Sequence, residues 1–307
     1  MTAGTIRTLR PAPMKRRVDG VLLLDKPAGL TSNAALQKAK RLYRAEKAGH
    51  TGTLDPFATG LLPLCLGEAT KFSQFLLDAD KIYLAEVKLG VRTSSGDLDG
   101  DVIATRPVQV GEDAVRRALL DFVGEIHQVP PMHSALKHHG RPLYEYARQG
   151  IEIERAARRV VVHSLELVSF AGEALRLRVH CGKGFYVRAL ADDLGEILGC
   201  GAHLSGLCRL GVGRFGLDQA HALDELAGLD EGARDAALLP PDALIDDLPR
   251  LELDAEAAWQ LGHGQAVWLP RLSVGVQHRA YGPDGRFLGV TRVGEDGKAA
   301  PKRLVAS

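Results

Sequence analysis

Two segments with strand character follow one another in the middle of the 307-residue chain, with only three residues between them. They are RVVVHSLELVSF (159–170) and ALRLRVHCG (174–182). Parallel strands need a crossover of about a dozen residues or more, so strands this close pair antiparallel. A helix-like segment, FYVRALADDLGEILG (185–199), comes next. This order differs from a regular alternation of strand and helix, and it predicts an α+β fold with a largely antiparallel sheet.

Hydrophobic periodicity predicts further elements on both sides of this hairpin. In KIYLAEVKLG (81–90), alternation places Tyr83, Ala85, Val87 and Leu89 on one face of a strand. The other predictions are a buried strand over Val21–Leu24, a helix that begins near Ser32 or Asn33 and runs to Tyr43, and an amphipathic helix over Glu112–Val123.

The composition changes near LPPDALIDDLPRLELD (239–254), where paired prolines and acidic residues indicate a linker at about residues 238–250. Short strand-like segments with Pro-Asp-Gly and Glu-Asp-Gly turns follow, a pattern typical of a small β-barrel. We therefore predict a flexible basic tail over residues 1–19, which includes Lys15-Arg16-Arg17, a main domain over residues 20–245 and a barrel over residues 250–307.

Composition excludes several classes of protein. The chain is 45% hydrophobic and 25% charged, as in ordinary globular proteins, and its net charge is only +1. Any nucleic-acid surface must therefore come from local segregation of charge. The four cysteines show neither C-x-x-C pairing nor a spacing typical of a disulfide framework, which favours a reduced, cytoplasmic protein. No apolar run reaches membrane-spanning length, so no membrane association is expected.

Three motifs are better explained as ordinary structure than as sites. GVGRFG (211–216) matches G-x-G-x-x-G but lacks the βαβ context of a dinucleotide site, so a turn between strands is predicted. SGDLDGD (95–101) departs from a calcium loop at the positions that require glycine and glutamate, so its Asp97, Asp99 and Asp101 are interpreted as a solvated turn. The adjacent His138 and His139 cannot converge on one ion, and no other histidine suggests a metal site.

One carboxylate stands out in AGHTGTLDPFATG (48–60). Asp55 precedes a proline, which disfavours helical geometry, and Gly52 and Gly60 permit close backbone approach. Such a loop can hold a side chain rigidly. The simplest interpretation is an aspartate that caps a turn; the chemical alternative is a nucleophile or general base, for which rigid placement matters.

A catalytic carboxylate in a pocket needs a cation that keeps it ionised, because burial raises its pKa. Arg188 in KGFYVRALADDLG (183–195) lies in the first turns of a predicted helix, where it could point into a cleft. From sequence alone, an ordinary solvated helix arginine is the simpler interpretation of that position. The positions of Arg188 and Asp55 in the sequence do not establish that the two side chains contact each other.

Six segments together resemble the B family of tRNA pseudouridine synthases, and they run in the family's order from about residue 20 to residue 216. They are GVLLLDKPAGLTSN, KAGHTGTLDPFATGLLPLCLGEATKF, KIYLAEVKLGVRTSSGDLDGD, VPPMHSALKHHGRPLYEYARQGIEI, HCGKGFYVRALADDLGEILGCGAHL and LCRLGVGRF. The resemblance implies the pseudouridine synthase fold, with a mixed, mainly antiparallel sheet and a central cleft. It also implies a C-terminal RNA-binding barrel related to the PUA domain, where the match is looser.

The resemblance implies roles for individual residues. Asp55, in Gly52-Thr53-Leu54-Asp55-Pro56, matches the catalytic aspartate, and Arg188 matches the arginine that pairs with it. Tyr83 matches the aromatic residue that stacks on the flipped base. The other matches are Leu207 for an apolar wall, Tyr186 for a second pocket tyrosine, Lys26 for a lysine near the site and His50 for the histidine that fills the space left by extruded nucleotides.

Residues 130–155 match the family's thumb, a segment that closes over the RNA stem-loop. Expected RNA contacts are Lys137, Arg141 and Arg148 in the thumb, and Lys302 and Arg303 near the C-terminus, although each is equally well explained as a solvated charge. One departure is visible, because Met132-His133-Ser134 stands where Met-Tyr-Ser is the commoner form. It affects the expected grip on RNA more than the chemistry.

The implied activity is isomerisation of uridine-55 in the tRNA T loop to pseudouridine, by a monomer without a cofactor or metal. Asp55 would attack C1′, add to the base or remove the C2′ proton; the sequence leaves these routes open. Two alternatives remain. One is a non-catalytic tRNA-folding chaperone, and the other is a carboxylate-based nucleoside hydrolase, which would need a second acid that the sequence does not place near Asp55.

Overall fold

The computed structural model describes residues 14–306. Its elements in the first half are β1 (Gly20–Lys26), α1 (Ser32–Leu42), β2 (Ala48–His50), β3 (Thr59–Leu66), α2 (Ser73–Asp78), β4 (Lys81–Leu89), β5 (Val91–Thr93), β6 (Val102–Thr105), α3 (Glu112–Leu120), β7 (Gly124–Gln128), β8 (Lys137–His138), β9 (Arg141–Pro142) and α4 (Leu143–Ala147). A 3₁₀ helix covers Gly67–Phe72.

The second half begins with the long hairpin that the sequence predicts. Its elements are β10 (Arg158–Ala171), β11 (Ala174–Cys181), α5 (Val187–Ile197), β12 (Ala202–Val212), β13 (Phe215–Gly216), β14 (His221–Ala222), α6 (Leu223–Gly228), α7 (Glu231–Ala236), β15 (Arg250–Glu252), α8 (Ala255–Gly262), β16 (Val267–Trp268), β17 (Gln277–Tyr281), β18 (Phe287–Val293) and β19 (Lys298–Leu304). Two 3₁₀ helices cover Leu217–Gln219 and Pro241–Ile245.

The main sheet has the strand order β14-β1-β3-β12-β4-β11-β10-β7, with β2 paired to β3 and β13 paired to β12. Only the β1–β14 and β3–β12 pairs are parallel among these described strands. The fold prediction is therefore confirmed: the sheet is mixed and mainly antiparallel. GVGRFG forms the β12–β13 hairpin turn, with Gly213 at a φ of +55°, so the structural interpretation of this motif is also confirmed.

Two apolar clusters pack helices onto this sheet and meet each other. One cluster packs α3 and α5 onto β4, β10, β11 and β12. A second packs α1 and α6 onto β1 and β3. Tyr83 and Leu207 contact both clusters, so they lie where the two meet. This boundary is where the candidate site forms.

Residues 16–19 are part of the folded main domain, which shortens the predicted tail. The Arg16 backbone N–H donates to the Arg44 carbonyl at 2.9 Å, and its guanidinium donates to Asp235 at 2.6 Å. Val18 is buried in the second apolar cluster. Residues 1–13 of the predicted tail lie outside the described residues.

The C-terminal strands form a five-stranded sheet of order β15-β17-β18-β19-β16, and α8 packs on it. Among the described residues, the first and last strands of this order are not paired, so hydrogen bonds leave the barrel partly open. The predicted linker packs tightly instead of standing free. Leu244 and Ile245 are buried together with Val290 of the C-terminal sheet and residues of the main domain. These apolar side chains form one core that the two domains share.

Candidate active site

Asp55 lies on the loop between β2 and β3, and distant side chains fix that loop. Ser32, at the start of α1, accepts from the Leu54 N–H at 2.8 Å and donates to the Leu54 carbonyl at 3.0 Å. Leu54 itself is buried in the second apolar cluster. The Ala58 N–H donates to the Asp55 carbonyl at 3.1 Å, which tightens the turn after the carboxylate.

Lys26 braces the loop from the end of β1. Its side chain is fully buried, and Nζ donates to the carbonyl oxygens of Pro27 at 2.8 Å, Leu30 at 2.7 Å and Pro56 at 3.3 Å. Burial lowers its pKa to about 8. All three ammonium protons have backbone acceptors. Lys26 was predicted to bind substrate, but in the structure its hydrogen bonds stabilise the Asp55 loop.

Arg209 supports the other side of the loop and was not predicted from the sequence. It is 1% exposed, and it donates to the carbonyls of Leu61 at 2.7 Å and Gly52 at 3.2 Å. Gly60 lies against its backbone at a φ of +98°, where a Cβ would come within 2.4 Å of the Arg209 carbonyl. The glycine is therefore required for this close approach.

The structure brings Asp55 and Arg188 together. Arg188 Nη2 lies 3.1 Å from Asp55 Oδ1 and also donates to the His133 carbonyl of the thumb at 2.8 Å. The arginine is 6% exposed and the aspartate 29% exposed. Arg188 belongs to α5 and is not one of the solvated helix charges. The expected Asp55–Arg188 pairing is present in the geometry.

A second carboxylate shares this arginine, and the sequence interpretation missed it. Asp97 Oδ2 lies 3.3 Å from Arg188 Nη1, and Asp97 is 5% exposed. The prediction of a solvated turn is therefore wrong for Asp97, although Asp99 and Asp101 are exposed. Asp97 accepts from the Ser95 hydroxyl and from the Asp99 N–H at 3.1 Å. The period-2 spacing of the three acids gave no sign that one of them turns inward.

Electrostatics at Asp55 reflect this shared arginine. Burial raises the pKa of Asp55 above its ordinary value, Arg188 opposes that rise, and the negative charges of Asp97 and Asp99 add to it. One guanidinium thus serves two carboxylates, so Asp55 holds its proton more readily than an exposed aspartate does.

The two predicted pocket tyrosines lie on different elements. Tyr83 is on β4, directly across from Arg209 of β12, and burial raises the pKa of its phenol, which stays protonated near neutral pH. Tyr186 precedes α5, and its backbone is held by Gln128, which accepts from the Tyr186 N–H at 3.0 Å and donates to the Tyr186 carbonyl at 3.2 Å. Burial also raises the pKa of the Tyr186 phenol.

Leu207 and His50 complete the predicted set around the loop. Leu207 is half-buried on β12, two residues before Arg209 and opposite Ala85. His50 ends β2, and its buried Nδ1 has no hydrogen-bond partner among the described residues. Burial and the nearby Arg209 lower the pKa of His50, so its ring is neutral near pH 7.

The predicted RNA contacts lie apart from the Asp55 loop. Lys137 and Arg148 are exposed on the thumb, where Arg148 stacks on Tyr144. Arg141 pairs with Glu145 at 2.9 Å. Lys302 and Arg303 line a groove that the C-terminal sheet forms with residues 70–75 of the main domain.

Within residues 14–306, no helix is both long and apolar enough to span a membrane. Cys65, Cys181, Cys200 and Cys208 form no disulfide bond within the same residues.

Comparison with known proteins identifies the class that this fold and site define. The model of the TruB family pseudouridylate synthase N-terminal domain matches residues 40–187. The tRNA pseudouridylate synthase B C-terminal domain matches residues 188–246, and the pseudouridine synthase II TruB C-terminal model matches residues 249–305.

Curated relatives match over nearly their whole length. The chain is 58% identical to the tRNA pseudouridine synthase B of Aromatoleum aromaticum (strain DSM 19018 / LMG 30748 / EbN1) over 293 residues, which cover 95% of this chain and 94% of the relative. It is 56% identical over 304 residues to the protein of that name from Burkholderia mallei (strain ATCC 23344), with 97% of each chain covered. The chain therefore belongs to the TruB family of pseudouridylate synthases.

Solved structures support the same fold. A Cbf5-Nop10-Gar1 complex contains a chain that superposes with a TM-score of 0.71 at 28% identity, covering 94% of this chain and 85% of that one. An H/ACA RNP bound to a substrate RNA containing 2′-deoxyuridine gives a TM-score of 0.70 at 26% identity, with the same coverage. The predicted pseudouridine synthase fold with a PUA-like C-terminal part is confirmed.

Proposed function

We propose that this protein isomerises a uridine of tRNA to pseudouridine, that the uridine is position 55 of the T stem-loop, and that Asp55 is the catalytic residue. The observation that carries the proposal is the Asp55–Arg188 pair, on a loop held by Lys26, Ser32 and Arg209. Relatives that match over 94% and 97% of their own length are named tRNA pseudouridine synthase B. The catalytic interpretation is favoured over a chaperone without catalysis.

The reaction breaks the N1–C1′ bond and forms a C5–C1′ bond. The base returns to the same sugar, the C5 hydrogen leaves as a proton and N1 gains one, so the reaction needs no oxidant or reductant. Asp55 acts as nucleophile or base in its ionised form. Arg188 stabilises that form and fixes the carboxylate, because a guanidinium bonds two acceptors in a fixed geometry.

The target base must leave the T loop before Asp55 can reach it, which costs roughly a few kcal/mol. Stacking on the Tyr83 ring returns about 1 to 3 kcal/mol of this cost. Leu207 forms an apolar wall, Tyr186 lines the pocket beside Arg188, and the neutral His50 occupies space that the extruded nucleotide vacates.

A nucleoside hydrolase would also break the N1–C1′ bond, and Asp97 supplies the second acid that the sequence did not place near Asp55. Asp97, however, is buried and already bonded to Arg188, Ser95 and the Asp99 N–H. Its carboxylate therefore has a structural role, which disfavours a hydrolase that uses Asp97 as its second acid.

RNA binding is assigned to surfaces outside the pocket. We assign the thumb, residues 130–155 with Lys137, Arg141 and Arg148, and the groove beside Lys302 and Arg303 to phosphate contacts. Such contacts position RNA, while the shape of the T loop gives specificity. Residues 20–245 form the catalytic domain and residues 250–307 the RNA-binding domain of a cytoplasmic monomer that uses no cofactor.

The test is incubation of the purified chain with unmodified tRNA labelled with tritium at uridine C5. We expect one tritium released per tRNA and one pseudouridine at position 55 after nuclease digestion and nucleoside chromatography. A tRNA with cytidine at position 55 serves as the matched control and should release none. Free uracil would identify a hydrolase instead. Faster tRNA refolding without any tritium release would identify a chaperone.

A further inference from the structure

We propose that Asp80, His163 and His180 form a binding site for a divalent transition-metal ion, with zinc as the preferred occupant. The three side chains are partly exposed to solvent, on or directly before strands of the main sheet, and none of them belongs to the Asp55 loop. The proposal is independent of the reaction proposed above, and it concerns a site to which the catalytic residues contribute nothing.

The ligand atoms are already close to one another. Asp80 Oδ2 lies 3.2 Å from His163 Nε2 and 3.8 Å from His180 Nε2, and all three ligand atoms fall within 4.8 Å of one another. Zinc binds nitrogen and oxygen at about 2.0 to 2.2 Å in a tetrahedron, so its ligand atoms stand roughly 3.4 Å apart. Both separations from Asp80 lie close to that value.

Strand pairing explains why the three residues meet. The register of β10 against β11 shifts between Val162 and Ser164, and the resulting bulge contains His163. Ser164 pairs with His180, so the bulge brings the two imidazole rings together, with ring centroids 4.7 Å apart. Bulges redirect a side chain that regular pairing would send to the other face.

Asp80 reaches the same place from a third segment. It directly precedes β4, whose first residue, Lys81, pairs with Cys181 of β11. The Gly182 N–H donates to the Val161 carbonyl at 2.9 Å, which fixes the end of β11 beside β10. The backbone beneath all three ligands is therefore held by the sheet, which limits the ordering that metal binding requires.

The donor set selects the kind of ion. Two imidazoles and one carboxylate suit zinc, cobalt and nickel, whereas calcium and magnesium require more oxygen ligands. Three protein ligands leave a coordination position for water. The side chains are 39%, 39% and 48% exposed for His163, His180 and Asp80, so an ion can enter from solvent without rearrangement of the fold. Two neighbouring cations already have partners: Lys183 pairs with Asp78 at 3.1 Å, and Lys81 donates to the carbonyls of Leu77 at 2.7 Å and Ala79 at 2.5 Å.

The experiment uses the full chain without a polyhistidine tag, stripped with a chelator. Zinc and cobalt chlorides are titrated by calorimetry, and cobalt is also followed by its visible absorption. We expect one ion per chain with micromolar affinity, tetrahedral cobalt bands and a higher melting temperature with zinc. His163→Ala, His180→Ala and Asp80→Ala should each weaken binding by about tenfold or more.

A double variant, His138→Ala with His139→Ala, is the matched control, because it removes two neighbouring imidazoles elsewhere and should leave binding unchanged. The proposal is overturned if the wild-type chain binds neither metal at millimolar concentration. It is also overturned if His163→Ala and His180→Ala bind as tightly as wild type, or if the control double variant loses the bound ion. Circular dichroism establishes that each variant is folded. If one histidine variant fails to fold, the other decides the question.

Discussion

The loop that carries Asp55 and the thumb both contact Arg188, but they are held in different ways. Lys26, Ser32 and Arg209 bind the loop from distant parts of the chain, and all three are buried. Most hydrogen bonds within the described thumb are local, such as Leu143 N–H to the Leu136 carbonyl at 2.7 Å. The thumb residues expected to contact RNA are exposed or half-buried.

This difference separates two tasks. A reacting carboxylate must hold its position closely, since a displacement of about 1 Å can cost a hundredfold in rate. A surface that grips RNA gains from local structure that can adjust to its ligand as a unit. Substitutions in the loop should therefore lower the chemical rate, and substitutions in the thumb should lower affinity.

Asp55→Asn gives the largest expected effect. We expect the single-turnover rate to fall by about 10⁴-fold or more, as when a nucleophile is removed from other enzymes, because an amide neither attacks nor accepts a proton. Affinity for tRNA, measured by filter binding, should stay within about twofold of wild type, since the change removes one charge among many contacts. Product formed at the wild-type rate would refute the catalytic assignment.

Arg188→Lys should follow, with a rate about 10²- to 10³-fold below wild type. One ammonium cannot reproduce the separate contacts that Nη1 and Nη2 make with Asp97, Asp55 and the His133 carbonyl. Arg92→Lys is the matched control. Arg92 lies outside the site, but it forms an arginine–aspartate pair with Asp192 of α5 at 2.6 Å, so the substitution perturbs the same helix. Equal losses in both variants would mean that α5 stability, not the site, is being measured.

Ser32→Ala tests whether the loop must be rigid. The variant leaves the Leu54 N–H without its acceptor and should cost about 1 to 3 kcal/mol of folding free energy, measured by urea unfolding. We expect the rate to fall about tenfold as Asp55 loses its fixed position.

The neighbouring Thr31→Ala is the control for Ser32→Ala. It removes the N-cap of α1, whose hydroxyl accepts from the Ala34 N–H, at about 1 kcal/mol without touching the loop. If Thr31→Ala slowed the reaction as much as Ser32→Ala, general destabilisation would explain both results.

Thumb charges should give smaller effects of a different kind. Lys137→Ala and Arg148→Ala should each weaken tRNA binding a few-fold and reduce the slope of log affinity against log salt by about one. The single-turnover rate at saturating tRNA should not change. The control is Lys88→Ala, which removes a half-buried lysine of the main sheet that pairs with Glu173 and should leave binding unchanged. A thumb variant with a lower single-turnover rate at saturating tRNA would contradict the assignment of chemistry to the loop and RNA binding to the thumb.

The smallest change is expected in the pH profile. Because burial and Asp97 raise the pKa of Asp55, activity should fall on acidification at a pH above the ordinary aspartate range, as the carboxylate takes up a proton. Asp97→Asn removes a negative charge that favours this proton, so the acidic limb should move to lower pH. Asp99 is exposed, so Asp99→Asn should move the acidic limb less than Asp97→Asn does. A limb that moves to higher pH in Asp97→Asn would contradict this charge arrangement.

Local sequence patterns predict the α+β class and the Asp55 loop, because strand alternation and Gly/Pro positions have local physical causes. The partnership of Asp55 with Arg188 came from the family resemblance, since no spacing rule joins two residues that far apart. Asp97 and Arg209 were missed for a related reason. The turn that contains Asp97 has a solvated composition, and an arginine such as Arg209 is usually exposed, so burial of either side chain becomes visible only in the tertiary fold.

Arg188 Nη2 donates both to Asp55 and to a carbonyl of the thumb, and the His133 side chain has no part in that bond. Proton binding at the carboxylate and the proposed RNA binding at the thumb therefore share a hydrogen-bond donor. Thermodynamic linkage makes such an effect reciprocal. If RNA draws the thumb carbonyl from Arg188 and changes the proton affinity of Asp55, then protonation of Asp55 changes the affinity for RNA by the same factor.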